Sequence, residues 1–387
     1  MTGNNTKAKA FVGATIFDGH KRHEDSALLT DDGSVSKIVS IKDIPSGTET
    51  VSLSGGLLAP GFVDLQVNGG GGVLLNDQPD VAGIETICAA HAQFGTTSLL
   101  PTLITDNVDV THKAVAAGTK AARQAITGFI GLHLEGPHLS VVRKGAHDAD
   151  LIRPMSIEDL NFLTKSRASL PHLMTTVAPE SVSNEQISEL TNAGVMISLG
   201  HTAADYETAV NAASSGARAV THLFNAMSPL THREPGLVGA ALETGHVSVG
   251  VIADGIHVHP AAISIALAAK KGPGKIFLVT DAMSTIGTDQ NSFTLNGRTI
   301  TREGGKLILE DGTLAGADLD MITAVRFMAN SVGIGVDEAL RMAALYPALC
   351  IGDDTIGHLQ TGAAANMVHL DDDLAIQSVW SLARQIH

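Results

Sequence analysis

Apolar and polar positions along this chain follow two rhythms. From residue 58 onward, short β-branched or apolar runs alternate with Ala-rich segments whose apolar residues recur at helical spacing, the pattern of parallel βαβ units. Strands are predicted near 58–67, 96–104, 128–135, 172–178, 195–201, 217–222, 247–254 and 275–281. The first carries Phe62, Val63, Leu65 and Val67, apolar on both faces as a buried parallel strand must be. Between the strands, "PDVAGIETICAAHAQFG", "VSNEQISELTNAG" and "AADYETAVNAASSG" predict helices, each followed by a glycine that can serve as C-cap. The fold class expected is α/β, a closed (β/α)8 TIM-type barrel with the helices as its outer ring.

The chain ends are built differently. "AFVGATIFDG", "SALLTDD" and "SKIVSIKDI" near the start, and "TGAAANMVHLDDDLAIQSVW" near the end, are short strand-like pieces separated by turn residues. Residues 1–57 and 350–387 are therefore expected to form one small β-sandwich domain, with the barrel over 58–349 inserted between them. A hairpin-rich excursion, "SFTLNGRTITREGGKLILEDGTLAGA", follows the last barrel strand.

Composition narrows the function classes. A chain of 387 residues with 44% hydrophobic residues, 17% charged residues and 40 glycines suits a well-buried α/β enzyme. The net charge of −15 argues against a nucleic-acid or anionic-membrane partner, while a pocket on an acidic protein can still be locally positive for a small anion. The N-terminal stretch has no signal-peptide core, and the longest apolar run, "AAISIALAA", falls well short of the roughly 20 residues that span a bilayer. A cytoplasmic location is expected. Cys88 and Cys350 lie in helix-like apolar stretches and read as reduced, packed thiols.

In a barrel of this type the active site lies at the C-terminal ends of the strands. Applied here, that rule selects Gln66 and Asn68 after strand one, Glu135 in "GLHLEGPHLS", His201 in "MISLGHTAAD", His222 in "AVTHLFNAM", His257 in "ADGIHVHP" and Asp281 in "IFLVTDAM". One carboxylate and two neutral imidazoles form a familiar ligand set for catalytic zinc, so Glu135, His201 and His222 are the expected metal ligands. The same donors suit other first-row divalent ions. Such a metal lowers the pKa of its water toward about 7 and polarises a carbonyl; Asp281 is placed to take that proton and return it to a leaving group. Of the 17 histidines, His20, His23, His91, His112, His172 and His246 are expected to be surface or capping residues and His259 structural. His138 and His232 have no assigned role.

These stretches, with "LAPGFVDLQVNGGGG", "THLFNAMSPLTHREPGLVGAAL", "VTDAMSTIG" and "LAGADLDM" in the same order, resemble the N-acetylglucosamine-6-phosphate deacetylase family of the amidohydrolase superfamily over nearly the whole chain. The resemblance implies removal of the acetyl group from N-acetylglucosamine 6-phosphate by metal-activated water, with Asp281 and His257 catalytic and His257 hydrogen-bonded to the substrate carbonyl. It implies substrate contacts at Ala146, His147, Asn225, Ala226, Arg233, His257, Leu314, Ala315 and Gly316. Arg233 would bind the sugar phosphate, commonly from the neighbouring subunit of a homodimer, where the planar guanidinium fork suits two phosphate oxygens.

Many amidohydrolases end strand one with His-x-His, which holds a second metal; here Gln66-Val67-Asn68 stands instead. The pattern resembles the mononuclear deacetylases, so one divalent ion per subunit, zinc, is expected and a second site is not. Gly69 to Gly72 then read as a close-packed turn at the barrel mouth, with no phosphate role. The N-acetylgalactosamine 6-phosphate epimer is the alternative substrate. A dihydroorotase-like dinuclear hydrolase lacks its strand-one His pair and a Lys at the end of "HLMTTVAP". A non-catalytic scaffold should have lost ligands that this chain retains.

Overall fold

The computed structural model describes residues 8–387; residues 1–7, on which part of the leader and domain-boundary expectations fall, lie outside the described residues. Eight parallel strands hydrogen-bond in sequence order: Phe62–Val67, Thr96–Ile104, Leu132–Glu135, Leu173–Val177, Met196–Leu199, Ala219–Val220, Ser248–Val251 and Ile276–Leu278. The first and the eighth are joined by other means. The Asp281 N–H donates to the Gln66 carbonyl at 2.9 Å, Val67 bridges Ala282, and the Asp64 carboxylate accepts from Thr280 Oγ1 at 2.5 Å. A side chain and the residues beyond the last strand thus seal the barrel.

The three helical stretches form Val81–Ala92, Asn184–Asn192 and Tyr206–Ser214. Each starts on a side-chain cap: Asp80 accepts from Gly83 N–H, Ser183 from Gln186 N–H, and Asp205 from Thr208 N–H. Such caps satisfy N–H groups that the first helical turn leaves without partners.

Several predicted strands are longer than those observed. The stretch expected over 58–67 is two strands, because Leu57–Pro60 leaves the barrel to pair with Met367–Leu370. A six-stranded sheet from both chain ends contains this pair, and a four-stranded sheet of N-terminal strands faces it. Phe11 and Leu28 of one sheet pack with Ile16, Leu58, Met367 and Trp380 of the other, and the Phe11 and Trp380 rings meet edge-on at 5.4 Å. This is the expected sandwich. Towards the C-terminus, the helix Leu345–Ile351 is part of the barrel's outer layer, and the chain returns to the sandwich only after it.

The excursion forms an antiparallel sheet of Ser292–Leu295, Arg298–Glu303, Lys306–Leu309 and Leu314–Ala317. Its apolar face packs on Leu74, Ile104 and Met283 at the barrel mouth. Arg302 Nε donates to Asp318 Oδ2 at 2.6 Å, and Thr285 Oγ1 donates to Asp318 Oδ1 at 2.8 Å, fastening the sheet to the loop after strand eight. Both cysteines are free, and burial pushes the Cys350 thiol up to about 12, the behaviour of packed thiols. No helix among the described residues is long and apolar enough to cross a membrane.

Candidate active site

Six of the seven residues selected by the strand-end rule, all but Gln66, line one cavity of about 370 Å³. Glu135 is the last residue of its strand, but His201, His222 and Asp281 lie beyond theirs. All three take left-handed backbone, with φ of +47°, +28° and +51°. Such conformations cost on the order of 1–3 kcal/mol each for residues with a Cβ, and persist where the surroundings enforce them. Here the enforcement is visible: Ser140 N–H donates to the His201 carbonyl, Leu223 N–H just after His222 donates to Gly250, and Ala317 N–H donates to the Asp281 carbonyl. The turns swing the side chains off the strands into the barrel mouth.

There they nearly touch. His201 Nε2 lies 3.3 Å and His222 Nε2 3.2 Å from Glu135 Oε1, and the two nitrogens are 3.0 Å apart. His201 Nδ1 donates to the Arg143 carbonyl at 2.9 Å, which fixes the ring and leaves Nε2 as the nitrogen that a metal would take. His147 approaches from the far side, its Nε2 3.7 Å from Glu135 Oε2 and its Nδ1 2.7 Å from Thr105 Oγ1. Ligand atoms of Glu135, His147 and His201 lie within 4.8 Å of one another. Two overlapping triads therefore share Glu135 and His201, one completed by His222 and the other by His147. Buried imidazole and carboxylate donors gathered this closely fit a divalent metal, which N and O ligands of this kind hold.

Burial by itself raises the Glu135 carboxyl, but the hydrogen bonds and charge of His201 and His222 outweigh it and hold the group well below the usual carboxylate range. Asp281 is moved the other way, up to about 6, first by burial and then by repulsion from Glu135. Two neighbouring carboxylates are thus held apart in acidity: one stays ionised, the other accepts a proton readily, the division expected of a ligand and a general base.

Ala146, His147, Asn225, Ala226, His257, Leu314, Ala315 and Gly316 also line the cavity. Leu314 to Gly316 reach it from the last strand of the excursion sheet. At Gly316, with φ +63°, an added Cβ would meet Met283 Cγ at 2.6 Å and the Asp281 carbonyl at 2.9 Å, so the chain approaches Asp281 where only glycine fits. Arg233 is not brought to this cavity; it is exposed on the loop 229–234.

Several features were missed from the sequence. Asp254 accepts from the backbone N–H groups of Ile256 and His257 and from His257 Nδ1; the Asp-x-x-His spacing in "ADGIHVHP" was the available signal. The Arg143 carbonyl that orients His201 left none, because any residue supplies it. His91 is a correction: expected at the surface or as a cap, it is fully buried, with Nε2 2.9 Å from the Gly69 carbonyl. A Cβ on Gly70 would lie 3.0 Å from its ring, and one on Gly69 2.3 Å from the Val73 carbonyl. Gly69–Gly70 pairs with Val73–Leu74 through a turn at Gly71 and Gly72, whose φ are +63° and +86°. The glycine run is a close-packed turn.

Gln66 and Asn68 are buried beside these groups. Gln66 Nε2 donates to Glu135 Oε1 and Asp281 Oδ1, both at 3.0 Å, and Asn68 Nδ2 donates to Asp281 Oδ1 at 2.7 Å.

Comparison with known proteins agrees with this geometry. The amidohydrolase family model matches residues 57–385. The chain is 44% identical over 328 residues to an N-acetylgalactosamine-6-phosphate deacetylase of Shewanella sp. (strain ANA-3), covering 85% of this chain and 82% of that protein. It is 34% identical over 363 residues to an N-acetylglucosamine-6-phosphate deacetylase of Haemophilus influenzae, covering 92% and 94%. The crystal structure of N-acetylglucosamine-6-phosphate deacetylase from Pasteurella multocida superposes with a TM-score of 0.94 at 36% identity, covering 98% of this chain and 99% of that one.

Proposed function

Because the chain belongs to the amidohydrolase family, we propose that it hydrolyses the acetamido group of N-acetylglucosamine 6-phosphate, giving glucosamine 6-phosphate and acetate. The observation that carries this reading is the meeting of Glu135, His201, His222 and Asp281, all four buried, in one cavity. The 44% identity to an N-acetylgalactosamine-6-phosphate deacetylase supports the galactosamine epimer as the second reading.

Glu135, His201 and His222 would hold one divalent metal, zinc, with no second ion because the Gln66 and Asn68 amides face Asp281 as donors. When bound, the metal supplies Lewis acidity, easing deprotonation of water and polarising the acetyl carbonyl. Asp281 takes the water proton and hands it to the departing nitrogen. With Nδ1 donating to Asp254, Nε2 is the His257 nitrogen left to face the carbonyl oxygen; it would donate there with the ring as the imidazolium paired to the Asp254 carboxylate, and such a preorganised donor favours the developing oxyanion. Ala146, His147, Asn225 and Ala226 contact the sugar, and the small residues Ala315 and Gly316 with Leu314 close over the acetamido group. Arg233 binds the phosphate of the neighbouring active site in a homodimer, a role that suits its exposure on the 229–234 loop. The reading is of a cytoplasmic enzyme with a barrel and a small domain from both chain ends, the expected borders at 57/58 and 349/350 shifted so that Leu57–Pro60 joins the small domain and Leu345–Ile351 the barrel, and with neither nucleic-acid nor membrane partners.

The test is acetate release from both epimers side by side, as purified, after chelation, and after zinc is restored. Activity that is lost with the metal and regained with zinc is expected, faster on the glucosamine sugar. A faster galactosamine reaction selects the second reading, and no release from either sugar by metal-loaded protein overturns both.

A further inference from the structure

Gln66 and Asn68 have so far been described by what they replace, yet their geometry gives them a positive task. Both are almost fully buried, at 2% and 1% exposure. Their nitrogen ends are surrounded by acceptors only: Asp281 Oδ1 for both, Glu135 Oε1 for Gln66, and the Asp281 carbonyl at 3.3 Å for Asn68. That environment assigns the amide orientation, since an oxygen in either place would face carboxylate or carbonyl oxygens. Among the described residues, every side-chain hydrogen bond received by the Asp281 carboxylate falls on Oδ1. A carboxylate otherwise turns about a broad, two-fold torsion; two N–H groups on one oxygen stop that rotation. Gln66, donating to both carboxylates, also shields Glu135 from Asp281 with neutral dipoles, a task a cation could perform. Asn68 Oδ1 is buried without a partner among the described residues, so the side chain is held through its nitrogen end.

We propose that Gln66 and Asn68 are positioning residues that pin Asp281 by Oδ1, in place of a second cation, and so select Oδ2 as the single oxygen that carries the proton. This rests on the deacetylase reading. Oδ2 takes a proton from the water whose oxygen forms the new bond to the acetyl carbon. As the C–N bond breaks, its electron pair leaves with nitrogen and the same proton passes from Oδ2 to that nitrogen. Asp281 ends ionised as it began, and nothing is oxidised or reduced.

The experiment compares Asn68→Ala and Asn68→Asp with the wild type for kcat, KM, metal per chain and thermal midpoint, alongside the metal content of the double variant Gln66→His/Asn68→His. Misplacing a reacting group by about 1 Å costs on the order of 10²-fold, so kcat should fall by about that factor in both single variants while KM and metal content stay at wild-type values. Asn68→Asp, which sets an oxygen against Oδ1, should be the slower. Unchanged kcat, a rise in KM alone, or loss of the metal in either single variant overturns the proposal. The double variant should bind twice the wild-type metal, since imidazoles would then replace the two donors between the carboxylates. That arm needs no turnover: if the wild type hydrolyses neither sugar, the deacetylase reading falls, and an unchanged metal content in a folded double variant overturns the clamp separately.

Discussion

Asp254 accepts from Nδ1 of His257 at 2.6 Å, and its other oxygen accepts the backbone N–H groups of Ile256 and His257 at 2.8 Å each. The carboxylate therefore fixes both the loop and the ring it carries. Burial raises the Asp254 carboxyl, but the hydrogen bonds and charge of His257, with the Ile256 N–H, together outweigh this and hold it below its ordinary range. Removing the carboxylate in Asp254→Ala should free the ring and lower kcat/KM by about 10²-fold. Metal content should be unchanged, because Asp254 lies outside the ligand cluster. Steady-state kinetics with metal analysis of the same preparation checks both.

The alternation of apolar strands with Ala-rich helices made the barrel legible, and the strand-end rule then picked out Glu135, His201, His222 and Asp281 from a His-rich chain. The stopping point of each strand was not legible. Ala219–Val220 ends before His222, and Ile276–Leu278 before Asp281, because left-handed residues interrupt pairing inside sequences that still look strand-like. Leu57–Pro60 and Phe62–Val67 form one apolar run, and nothing local says that the first half pairs with the far end of the chain. His91 was misjudged because its place on a helix does not reveal that it faces the glycine turn. Arg143 acts on His201 through a backbone carbonyl, which carries no residue signature.

Gly316→Ala tests the close approach over Asp281. The substitution adds left-handed strain and places a Cβ 2.6 Å from Met283 Cγ and 2.9 Å from the Asp281 carbonyl. Gly312→Ala is the control, since Gly312 has φ +84° but open space around its Cβ position. Gly312→Ala should lose about 1 kcal/mol, the lower end of the strain range, with normal turnover, and Gly316→Ala about 3 kcal/mol or more, with reduced kcat. Denaturant unfolding and initial rates on both variants separate backbone strain from displacement of Asp281.

Asp64 makes the barrel seam sensitive to pH. Burial raises its carboxyl from 3.8 to about 7 against the opposing hydrogen bonds from Thr280 and Gln66. Between those values the folded chain keeps a proton that the unfolded chain has released, so stability falls as pH rises through this window, by on the order of 4 kcal/mol in all. Asp64→Asn has no proton to exchange there and should flatten the curve, while still accepting from the Gln66 and Thr280 N–H groups. Denaturation midpoints from about pH 4 to about pH 7 test this; parallel curves for wild type and variant would remove Asp64 as the cause.

The two triads around Glu135 and His201 predict opposite variants. His222 Nε2 faces the same carboxylate oxygen as His201 Nε2, at 3.2 and 3.3 Å. His147 reaches the other oxygen at 3.7 Å, with Nδ1 engaged by Thr105 Oγ1. Three donors gathered at Oε1 define a common metal position more tightly than a set divided between the two oxygens. His222→Ala should therefore lose the metal, whereas His147→Ala should retain it and show a raised KM, as expected of a sugar contact. A ligand present at about 100 times its Kd stabilises the folded state by about 2.7 kcal/mol. Added zinc should accordingly raise the thermal midpoint of His147→Ala as it does the wild type, and leave His222→Ala unmoved. The reverse result would assign the metal to Glu135, His147 and His201, and make His222 the residue that contacts the substrate.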